Sequence, residues 1–452
     1  MADPVVAIVG AGPAGVRAAE TLARAGIKPI LFDEAERPGG QIYRQPPKGA
    51  ERAGIYGLEA KKAEAVHRVV SELGARVEYR PRTLVWNVFE SRLDLLDANG
   101  YGEQRFDRLI LATGAMDRAL PFPGWTLPGV FTLGGAQIAL KAQGVSIGRR
   151  VAFVGAGPLL PLVAHQYAKA GAELVAVLDA TPFAAKIAQL PGMMAELGTL
   201  AKGLWYTARN RLHGLKVQYG VGAIRAEGTA RVEALAWRDG AGRGHRVACD
   251  AVGASFGLRS ETQLADLAGC AFAFDPVERQ WRPERTPEGR SSVPGVYLAG
   301  DGARIGGADM AELQGRRTAL ALLEDLGLAV DPAERARLDA ALARQARFRR
   351  ALEAAYPFPG HLVDDIGDDE IVCRCEGITA GTLKEAAREK GAAEMNQLKA
   401  FTRIGMGRCQ GRVCGHAAAE LLARARGTPV ESIGRLRGQP PVKPIPVLGG
   451  EP

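Results

Sequence analysis

Short runs of apolar residues recur along most of the chain and alternate with longer amphipathic stretches. Val5 to Val9, Ile30 to Phe32, Arg150 to Val154 and Leu174 to Leu178 are such runs. Uninterrupted apolar runs of this length are typical of buried parallel strands, and the stretches between them have the spacing of helices. The pattern predicts an α/β fold built on parallel sheets.

The first apolar run ends in a glycine-rich loop, GAGPAG, which matches the GxGxxG pattern. Gly10 permits a tight turn, Gly12 lets a pyrophosphate approach the backbone, and Gly15 lets the following helix pack close to the strand. The next strand delivers Asp33, 23 residues after Gly10, where an acid accepts hydrogen bonds from a ribose. We therefore predict a dinucleotide site on the helix N-terminus. Its residues are Gly10, Gly12, Pro13, Ala14, Gly15, Asp33 and Glu34.

Three later segments return to the same predicted site. The turn PGG before Gln41 can present backbone N–H groups to a cofactor, although it also suits a plain surface loop. One buried strand ends in Ala-Thr-Gly, and a late strand ends in Gly-Asp before a helix. An aspartate in that position suits hydrogen bonding to the ribityl or phosphate region of a flavin. The additional candidates are Gly40, Gln41, Thr113, Gly114, Gly300 and Asp301.

A partial internal repeat of the first unit follows at Arg150. The loop GAGPLL copies the first loop, and Asp179 comes 24 residues after Gly155. Leu160 replaces the third glycine, so we expect looser packing of helix on strand. Gly155, Gly157 and Asp179 predict a second nucleotide site, for NAD rather than NADP because no arginine follows Asp179. A retained fold with an empty site is the alternative.

Four of the six cysteines lie in the last quarter of the chain. Cys373 and Cys375 are separated by one residue, and Cys409 and Cys414 by four. Four thiolates from two loops can surround a [2Fe–2S] cluster, and the glycines of the second loop leave backbone N–H groups free to reach the sulfurs. Structural zinc is the rival, although zinc favours C-x2-C pairs. Core positions are predicted for the two earlier cysteines, and a capping or solvent-facing position for His416; the earlier cysteines are Cys249 and Cys270.

Composition restricts the class of partner. The 452 residues carry a net charge of +8, but the basic residues are scattered, so nucleic-acid binding is not predicted. No apolar run approaches the ~18 residues of a membrane span, and the N-terminus lacks a basic leader. These features predict a cytoplasmic protein without a membrane span.

The two glycine-rich units, the Ala-Thr-Gly strand end and the late Gly-Asp resemble the two-dinucleotide-binding-domain flavoproteins of the glutathione and thioredoxin reductase superfamily. The resemblance implies two Rossmann-like domains, with FAD in the first and a nicotinamide nucleotide in the second. No redox cysteine pair lies within these domains, so a disulfide reductase is not expected. The stretches CRCE and TRIGMGRCQGRVC resemble the bacterioferritin-associated ferredoxins. That match implies a small, mainly helical C-terminal [2Fe–2S] domain with Cys373, Cys375, Cys409 and Cys414 as ligands.

The resulting division of the chain is an expectation. Residues 1–125 and 255–330 form the FAD-binding domain, and residues 126–254 form the second nucleotide-binding domain. Residues 331–365 form a helical linker, residues 366–436 the cluster domain, and residues 437–452 an extended Pro-rich tail. The Pro- and Gly-rich residues 121–135 are predicted to link the first two domains.

This order of modules resembles the α subunits of opine oxidase, hydroxyproline or proline dehydrogenase, and hydrogen cyanide synthase. The resemblance implies an electron-transferring subunit of a hetero-oligomeric dehydrogenase or oxidase. A β subunit of the D-amino-acid-oxidase type would oxidise a secondary amine or imino acid on its own FAD. FMN can sit between the subunits, and a small third subunit can be present. No catalytic residue is therefore expected in this chain. A self-sufficient NAD(P)H-dependent ferredoxin-type reductase and a non-catalytic zinc-bearing scaffold remain as alternatives.

Overall fold

The computed structural model describes residues 4–47, 49, 54–212 and 214–446. The first stretch contains a βαβ unit followed by a three-stranded antiparallel layer, and a hairpin at Asn99-Gly100 joins two strands of that layer. The elements are β1 (Val6–Val9), α1 (Pro13–Arg24), β2 (Ile30–Phe32), α2 (Ala60–Leu73), β3 (Glu78–Arg80), β4 (Leu84–Phe89), β5 (Arg92–Asp97), β6 (Gly100–Arg105), β7 (Arg108–Leu111) and β8 (Ala115–Asp117).

The second stretch repeats the strand and helix order and adds a helical excursion and an antiparallel layer. Its elements are β9 (Val130–Thr132), α3 (Leu133–Ala142), β10 (Arg150–Ala156), α4 (Leu159–Lys169), β11 (Glu173–Asp179), α5 (Phe183–Ala188), α6 (Leu190–Met193), α7 (Leu197–Leu212), β12 (Val217–Tyr219), β13 (Gly222–Glu227), β14 (Ala234–Arg238), β15 (Gly244–Ala248) and β16 (Ala251–Phe256).

The chain then returns to the first sheet. The elements of this third stretch are β17 (Leu258–Ser260), α8 (Gln263–Leu267), β18 (Phe272–Asp275), β19 (Gln280–Pro283), β20 (Val296–Leu298) and α9 (Ala308–Asp325).

The last stretch is mainly helical, as predicted. Its elements are α10 (Pro332–Ala355), α11 (His361–Asp364), β21 (Ile371–Cys373), β22 (Ile378–Thr379), α12 (Ala380–Arg388), α13 (Met395–Thr402) and α14 (Gly415–Arg426).

Two five-stranded parallel sheets organise these elements, which confirms the predicted α/β class. The first sheet has the order β20-β7-β1-β2-β3, and the second has the order β12-β11-β10-β16-β9. The carboxyl ends of parallel strands meet at one edge of each sheet, and ligands of doubly wound folds bind there. Each sheet therefore brings its glycine-rich loop and its late strand ends to one place.

The segment predicted as a linker contributes side chains to a buried core. Leu120, Phe122 and Trp125 are buried, and Trp125 Nε1 donates to the carbonyl oxygen of Ile371 at 2.6 Å. The three side chains belong to an apolar cluster that runs from the second sheet into the region of α12 and α14. The proline and glycine residues correctly predicted a turn. The turn is buried because the residues between them are apolar.

The Pro-rich tail contacts the first domain. Residues 438–446 contain no helix or strand, as predicted for an extended segment, and residues 447–452 lie outside the described residues. Val442 is buried, and its N–H donates to the carbonyl oxygen of Trp86 at 3.0 Å. Lys443 pairs with Glu34 at the end of β2. The tail therefore connects the last stretch to the first sheet.

Candidate functional site

The first glycine-rich loop is shaped by two close approaches. A Cβ at Gly10, whose φ is +106°, would lie 2.3 Å from the carbonyl oxygen of Ala112. A Cβ at Gly15 would lie 1.8 Å from the carbonyl oxygen of Gly10. Gly12 differs, because a Cβ there meets only Gly40 Cα, at 3.7 Å. Gly10 and Gly15 are thus required by the fold, whereas a methyl group at Gly12 would fit against the PGGQ turn and would line the side of the loop that a phosphate approaches.

Asp33 supports this loop from the end of β2. Its carboxylate accepts the N–H of Ala11 at 2.5 Å and that of Ala35 at 2.7 Å. Burial raises the pKa of Asp33, and the two backbone donors oppose that shift. Neighbouring Glu34 is exposed and is paired with Lys443. The structure therefore places Asp33 against the loop and Glu34 at the surface beside the tail.

The PGGQ turn packs directly on the glycine-rich loop. The N–H of Gly39 donates to the carbonyl oxygen of Ala11 at 2.8 Å, and a Cβ at Gly40 would lie 2.9 Å from Gly12 Cα. Gln41 is exposed. The two loops therefore form the walls of one cleft, in which backbone rather than side chains faces the gap.

The two late strand ends complete the same edge of the sheet. A Cβ at Gly300 would lie 2.8 Å from Ala14 Cβ, so this turn touches the start of α1. Asp301 Oδ1 accepts the N–H groups of Gly306 at 2.8 Å and Gly307 at 3.0 Å. Thr113 and Gly114 lie on the other side of this turn, because a Cβ at Gly302 would meet Thr113 Oγ1 at 2.5 Å. The candidates from four separate segments are thus brought together, with Pro13 and Ala14 at the helix start.

The second glycine-rich loop, like the first, lies very close to the backbone of a neighbouring strand end. Its acidic residue, however, has different partners. A Cβ at Gly155 would lie 1.8 Å from the carbonyl oxygen of Ser255, and Gly157 has φ of +127°. Asp179 is buried, accepts the N–H of Thr181 at 2.9 Å and forms an ion pair with Lys186. The carboxylate that a ribose would need is therefore already paired.

Helix α10 closes the outer side of this second loop. The Lys186 ammonium lies over the rings of Tyr219 and Tyr356, at 4.3 and 4.6 Å from their centres. Tyr356 directly follows α10 and lines a cleft of about 740 Å³, open to solvent, together with Gly157 and Pro158. Space remains beside the second glycine-rich loop. The Asp179 carboxylate, however, is covered by the Lys186 ammonium, which contacts both tyrosine rings.

The four late cysteines converge from two loops. The thiol of Cys414 is in hydrogen-bond contact with the sulfurs of Cys373 and Cys409, and these contacts, together with burial, hold its pKa far above the usual range. The same hydrogen bonds, with backbone donors, lower the pKa of Cys373 to about 6 and that of Cys409 to about 5. The fourth thiol, Cys375, contacts Cys409. The lowered pKa values of Cys373 and Cys409 favour the thiolate, which is the form that binds metal.

Backbone N–H groups surround these sulfurs. Those of Glu376 and Gly405 point at Cys373, and that of Gly411 points at Cys409. A Cβ at Gly407 would lie 2.2 Å from Cys375 Cβ, so the second loop can approach the first only with glycine there. Such hydrogen bonds tune the potential of a cluster.

The prediction that His416 caps the helix or faces solvent is wrong. Only 8 % of its side chain is exposed, and its ring packs edge-on against Phe358, with centres 5.1 Å apart. Burial, with Arg118 and Arg259 nearby, lowers its pKa well below 6.5. It is a neutral core histidine, because α14 packs against the second domain rather than solvent. The two earlier cysteines are buried as predicted, Cys249 and Cys270.

Comparisons with known proteins divide the chain into a nucleotide-binding part and a cluster part. A family described as pyridine nucleotide-disulphide oxidoreductase matches residues 4–319, and one described as BFD-like [2Fe-2S] binding domain matches residues 371–424. The A subunit of opine oxidase from Rhizobium meliloti is 36 % identical over 97 % of this chain and 86 % of its own length. The chain belongs to the family of opine oxidase A subunits. Hydrogen cyanide synthase subunit HcnB from Pseudomonas aeruginosa, 35 % identical over 97 % of this chain and 96 % of its own, is another member.

A solved structure agrees with the fold of this opine oxidase family. L-proline dehydrogenase from P. horikoshii superimposes with a TM-score of 0.72 at 21 % identity, covering 98 % of this chain and 78 % of that one. The family predicted from the motifs is therefore confirmed, and with it an oxidoreductase that carries FAD and a [2Fe–2S] cluster. Among the described residues no helix has the length and apolarity to cross a bilayer.

The residues of this family member fit both groups. For FAD, the backbone of Gly12, the α1 N-terminus and the strand-end turns line a cleft of the kind that takes a pyrophosphate. For the cluster, four cysteine sulfurs that accept hydrogen bonds from backbone N–H groups match [2Fe–2S] ligation. The match to the BFD-like [2Fe-2S] family favours this cluster over zinc.

Sequence reasoning missed the residue that joins the two sites. The Glu261 carbonyl oxygen accepts the hydroxyl of Thr113 at 2.6 Å, and its N–H donates to the carbonyl oxygen of Gly114 at 2.9 Å. Its carboxylate pairs at 2.6 Å with Arg412, which lies in the loop between Cys409 and Cys414. No sequence motif marks Glu261; only its place after β17 brings it between the flavin-side strand end and the cluster loop.

Proposed function

We propose that this chain is the electron-transferring flavin and iron–sulfur subunit of a hetero-oligomeric amino-acid oxidoreductase. The substrate, a secondary amine or imino acid such as an opine, hydroxyproline or proline, would be oxidised on a separate β subunit of the D-amino-acid-oxidase type with its own FAD. In this chain, FAD supplies two-electron acceptance with one-electron release, and the cluster supplies one-electron transfer.

The observation that carries this proposal is the single-residue bridge between the two sites. Glu261 touches the strand end at Thr113 through its backbone and the cluster loop at Arg412 through its side chain. Arg259 adds a bond from its guanidinium to the carbonyl oxygen of Arg412 at 2.9 Å. A direct protein contact of this kind keeps two redox groups at fixed separation, as a subunit that passes electrons between them needs.

The role of each residue follows from its position. Gly12 and Gly40 admit the pyrophosphate between two backbone walls, and Asp33 fixes the loop that binds it. Asp301 holds the N–H groups of Gly306 and Gly307 in place at the start of α9. These groups bind and orient a cofactor; none is placed as an acid or base toward an amine.

The names of the relatives support the partner and the substrate class. The opine oxidase relative and HcnB are both named as subunits, and the fold matches a structure titled L-proline dehydrogenase. An NAD(P)H-dependent reductase is less well supported, because Asp179 is held by Lys186 beneath Tyr356.

The proposal is tested by comparing the isolated chain with the complex recovered from the native host through a tag on this chain. We expect both preparations to contain flavin and iron, with amine-dependent dye reduction only in the complex. Proline, hydroxyproline and an opine are supplied in turn.

Rapid bleaching of the isolated chain's flavin by NADH would instead support the reductase. A colourless chain with one equivalent of zinc would support the scaffold. Either result contradicts the electron-transfer role.

A further inference from the structure

The helical excursion between β11 and β12 exposes an apolar stripe along its whole length. Large apolar side chains recur at alternating intervals of four and three residues, and Ala201 and Ala208 continue the series. We call this stripe the 183–212 seam. Its main members are between 38 % and 64 % exposed: Phe183, Ile187, Leu190, Met194, Leu197 and Leu204.

The backbone conformation determines that residues at this spacing share one face. Gln189 and Met194, which separate α5, α6 and α7, both have right-handed turn angles, and Met194–Glu196 form a 3-10 turn, so the path from Phe183 to Leu212 keeps one helical sense across its two junctions. An interval of four and three residues keeps side chains on one face of a helix, and a partner helix packs against such a face by inserting its own side chains between them.

The seam is not used by the fold of this chain. The opposite face of α7 supplies the buried residues Tyr206 and Asn210, and α10 covers the inner side of α5 and α6. With a full residue area on the order of 200 Å², the six seam residues expose roughly 600 Å², the upper end of the largest apolar patch on a typical monomer. That area approaches the ~800 Å² per partner of a stable protein interface.

The charges beside the seam select the kind of partner. Its one acid, Glu196, is paired with Arg344, and Lys202 is paired with Glu59 at 2.5 Å. Arg209 and Arg211 are exposed and form no ion pair within the described part of the chain. A second copy would bring the same two arginines and a net charge of +8, so a partner with carboxylates beside an apolar helix fits better.

We propose that the 183–212 seam is the docking surface for the catalytic subunit of the complex, through an apolar helix flanked by acidic residues. This inference rests on the proposed function. Leu197 and Leu204 are the central anchors, and Arg209 and Arg211 steer the encounter with acidic groups of the partner.

The experiment uses the tagged full chain expressed in the native host. Leu197→Asp with Leu204→Asp places two charges in the middle of the seam. Phe89→Asp with Val145→Asp is the matched control, because these apolar side chains are 57 % and 52 % exposed and lie outside the seam. We expect the seam variant to lower the yield of the flavin-containing second chain by at least about tenfold, with the control unchanged. Circular dichroism and flavin content of both variants verify folding.

Oxidative footprinting of the wild-type protein supplies a second measurement that does not depend on a variant. Met194 and Trp205 are 60 % and 38 % exposed, and we expect both to be protected in the complex relative to the isolated chain. We also expect Arg209→Glu with Arg211→Glu to slow association and weaken its salt dependence.

Each outcome decides the inference. A complex that forms while Met194 stays reactive and the seam variant still assembles overturns the seam but leaves the proposed function intact. An isolated chain that sediments as a dimer, with the seam protected, assigns the seam to a second copy and overturns the inference. Absence of any flavin-containing second chain overturns both.

Discussion

At the scale of single residues, two glycines of the first GxGxxG loop have different physical roles. The Cβ that Gly15 lacks would overlap the Gly10 carbonyl, so this glycine lets α1 rest on β1. The Cβ that Gly12 lacks would lie 3.7 Å from Gly40 Cα, an ordinary van der Waals contact, so a methyl group fits there but lines the gap between the two loops. The first is therefore a requirement of folding, and the second a requirement of cofactor binding.

Alanine at these two positions should separate stability from binding. Gly15→Ala should lower the free energy of unfolding by about 1–3 kcal/mol, because α1 must move off the strand. Gly12→Ala should unfold like wild type yet bind FAD at least about tenfold more weakly, because its methyl group occupies the phosphate approach. Thermal unfolding of the apoprotein and FAD titration measure the two effects. Equal loss of stability in both variants would contradict the distinction.

A histidine beneath the PGGQ turn should make stability depend on pH. His67 Nε2 donates to the carbonyl oxygen of Tyr43 at 2.7 Å, and burial lowers its pKa below 6.5, with Arg37 adding to the shift. Below pH 6.5 the unfolded chain takes up a proton that the folded chain resists, so stability present above pH 6.5 is lost as pH falls toward the lowered pKa. His67→Gln keeps a donor without titrating, and its melting temperature should fall less between pH 7 and pH 5. Parallel pH profiles for variant and wild type would refute this assignment.

At the scale of elements, the cluster site depends on two loops fixed by the structures that flank them. Cys373 is the last residue of β21, and Cys414 is the N-cap of α14. The loop between α13 and α14 reverses through Arg403, Gly405 and Gly411, all with positive φ. The strand end and the helix start are thereby brought close enough for sulfurs from both loops to meet.

Substitution of the late cysteines should abolish the cluster selectively. Cys375→Ala or Cys414→Ala should remove the iron and the visible bands of the cluster, because three thiolates do not complete its ligand set. Cys270→Ala, which shortens a buried core residue outside both loops, should retain iron at the wild-type ratio. Iron analysis and electron paramagnetic resonance of the reduced protein report the result. Full iron content in Cys414→Ala would rule out that ligand.

At the scale of the whole molecule, the domains are joined by buried polar contacts and a shared core. The second sheet, α12 and α14 contribute to one apolar cluster. Arg279 forms a bidentate pair with Glu420 at 2.7 and 2.8 Å, and Arg435 forms another with Asp266 at 2.6 and 2.7 Å. We therefore expect the stability of the cluster region to be coupled to that of the nucleotide-binding domains.

Breaking the contact between the two cofactor sites should loosen the cluster first. Glu261→Gln leaves Arg412, whose side chain is 8 % exposed, without its carboxylate, which should cost about 1–3 kcal/mol. We expect faster loss of cluster absorbance on heating and unchanged flavin content. Glu173→Gln, in the exposed pair with Arg150, is the control and should behave as wild type. Equal cluster loss in both variants would remove the special role of Glu261.

Much of this protein could be predicted from local signals. Apolar runs and glycine loops located both parallel sheets, because buried parallel strands need continuous apolar sequence and tight turns need glycine. The cysteine spacing located the cluster, because ligands on two short loops are near in sequence. The burial of Phe122 and Trp125 was not predicted, and the prediction of an exposed His416 was wrong, because burial of a turn or a helix face depends on what packs against it.

The sequence by itself determined the element types, the glycine-dependent turns and the identity of the two cofactors, since each depends on motifs of residues close along the chain. Only the tertiary structure decided that Lys186 covers Asp179, that Glu261 joins Thr113 to the cluster loop, and that the 183–212 seam stays uncovered. Those outcomes depend on contacts between residues far apart in the chain, and no local pattern encodes which surfaces meet when the sheets and helices pack.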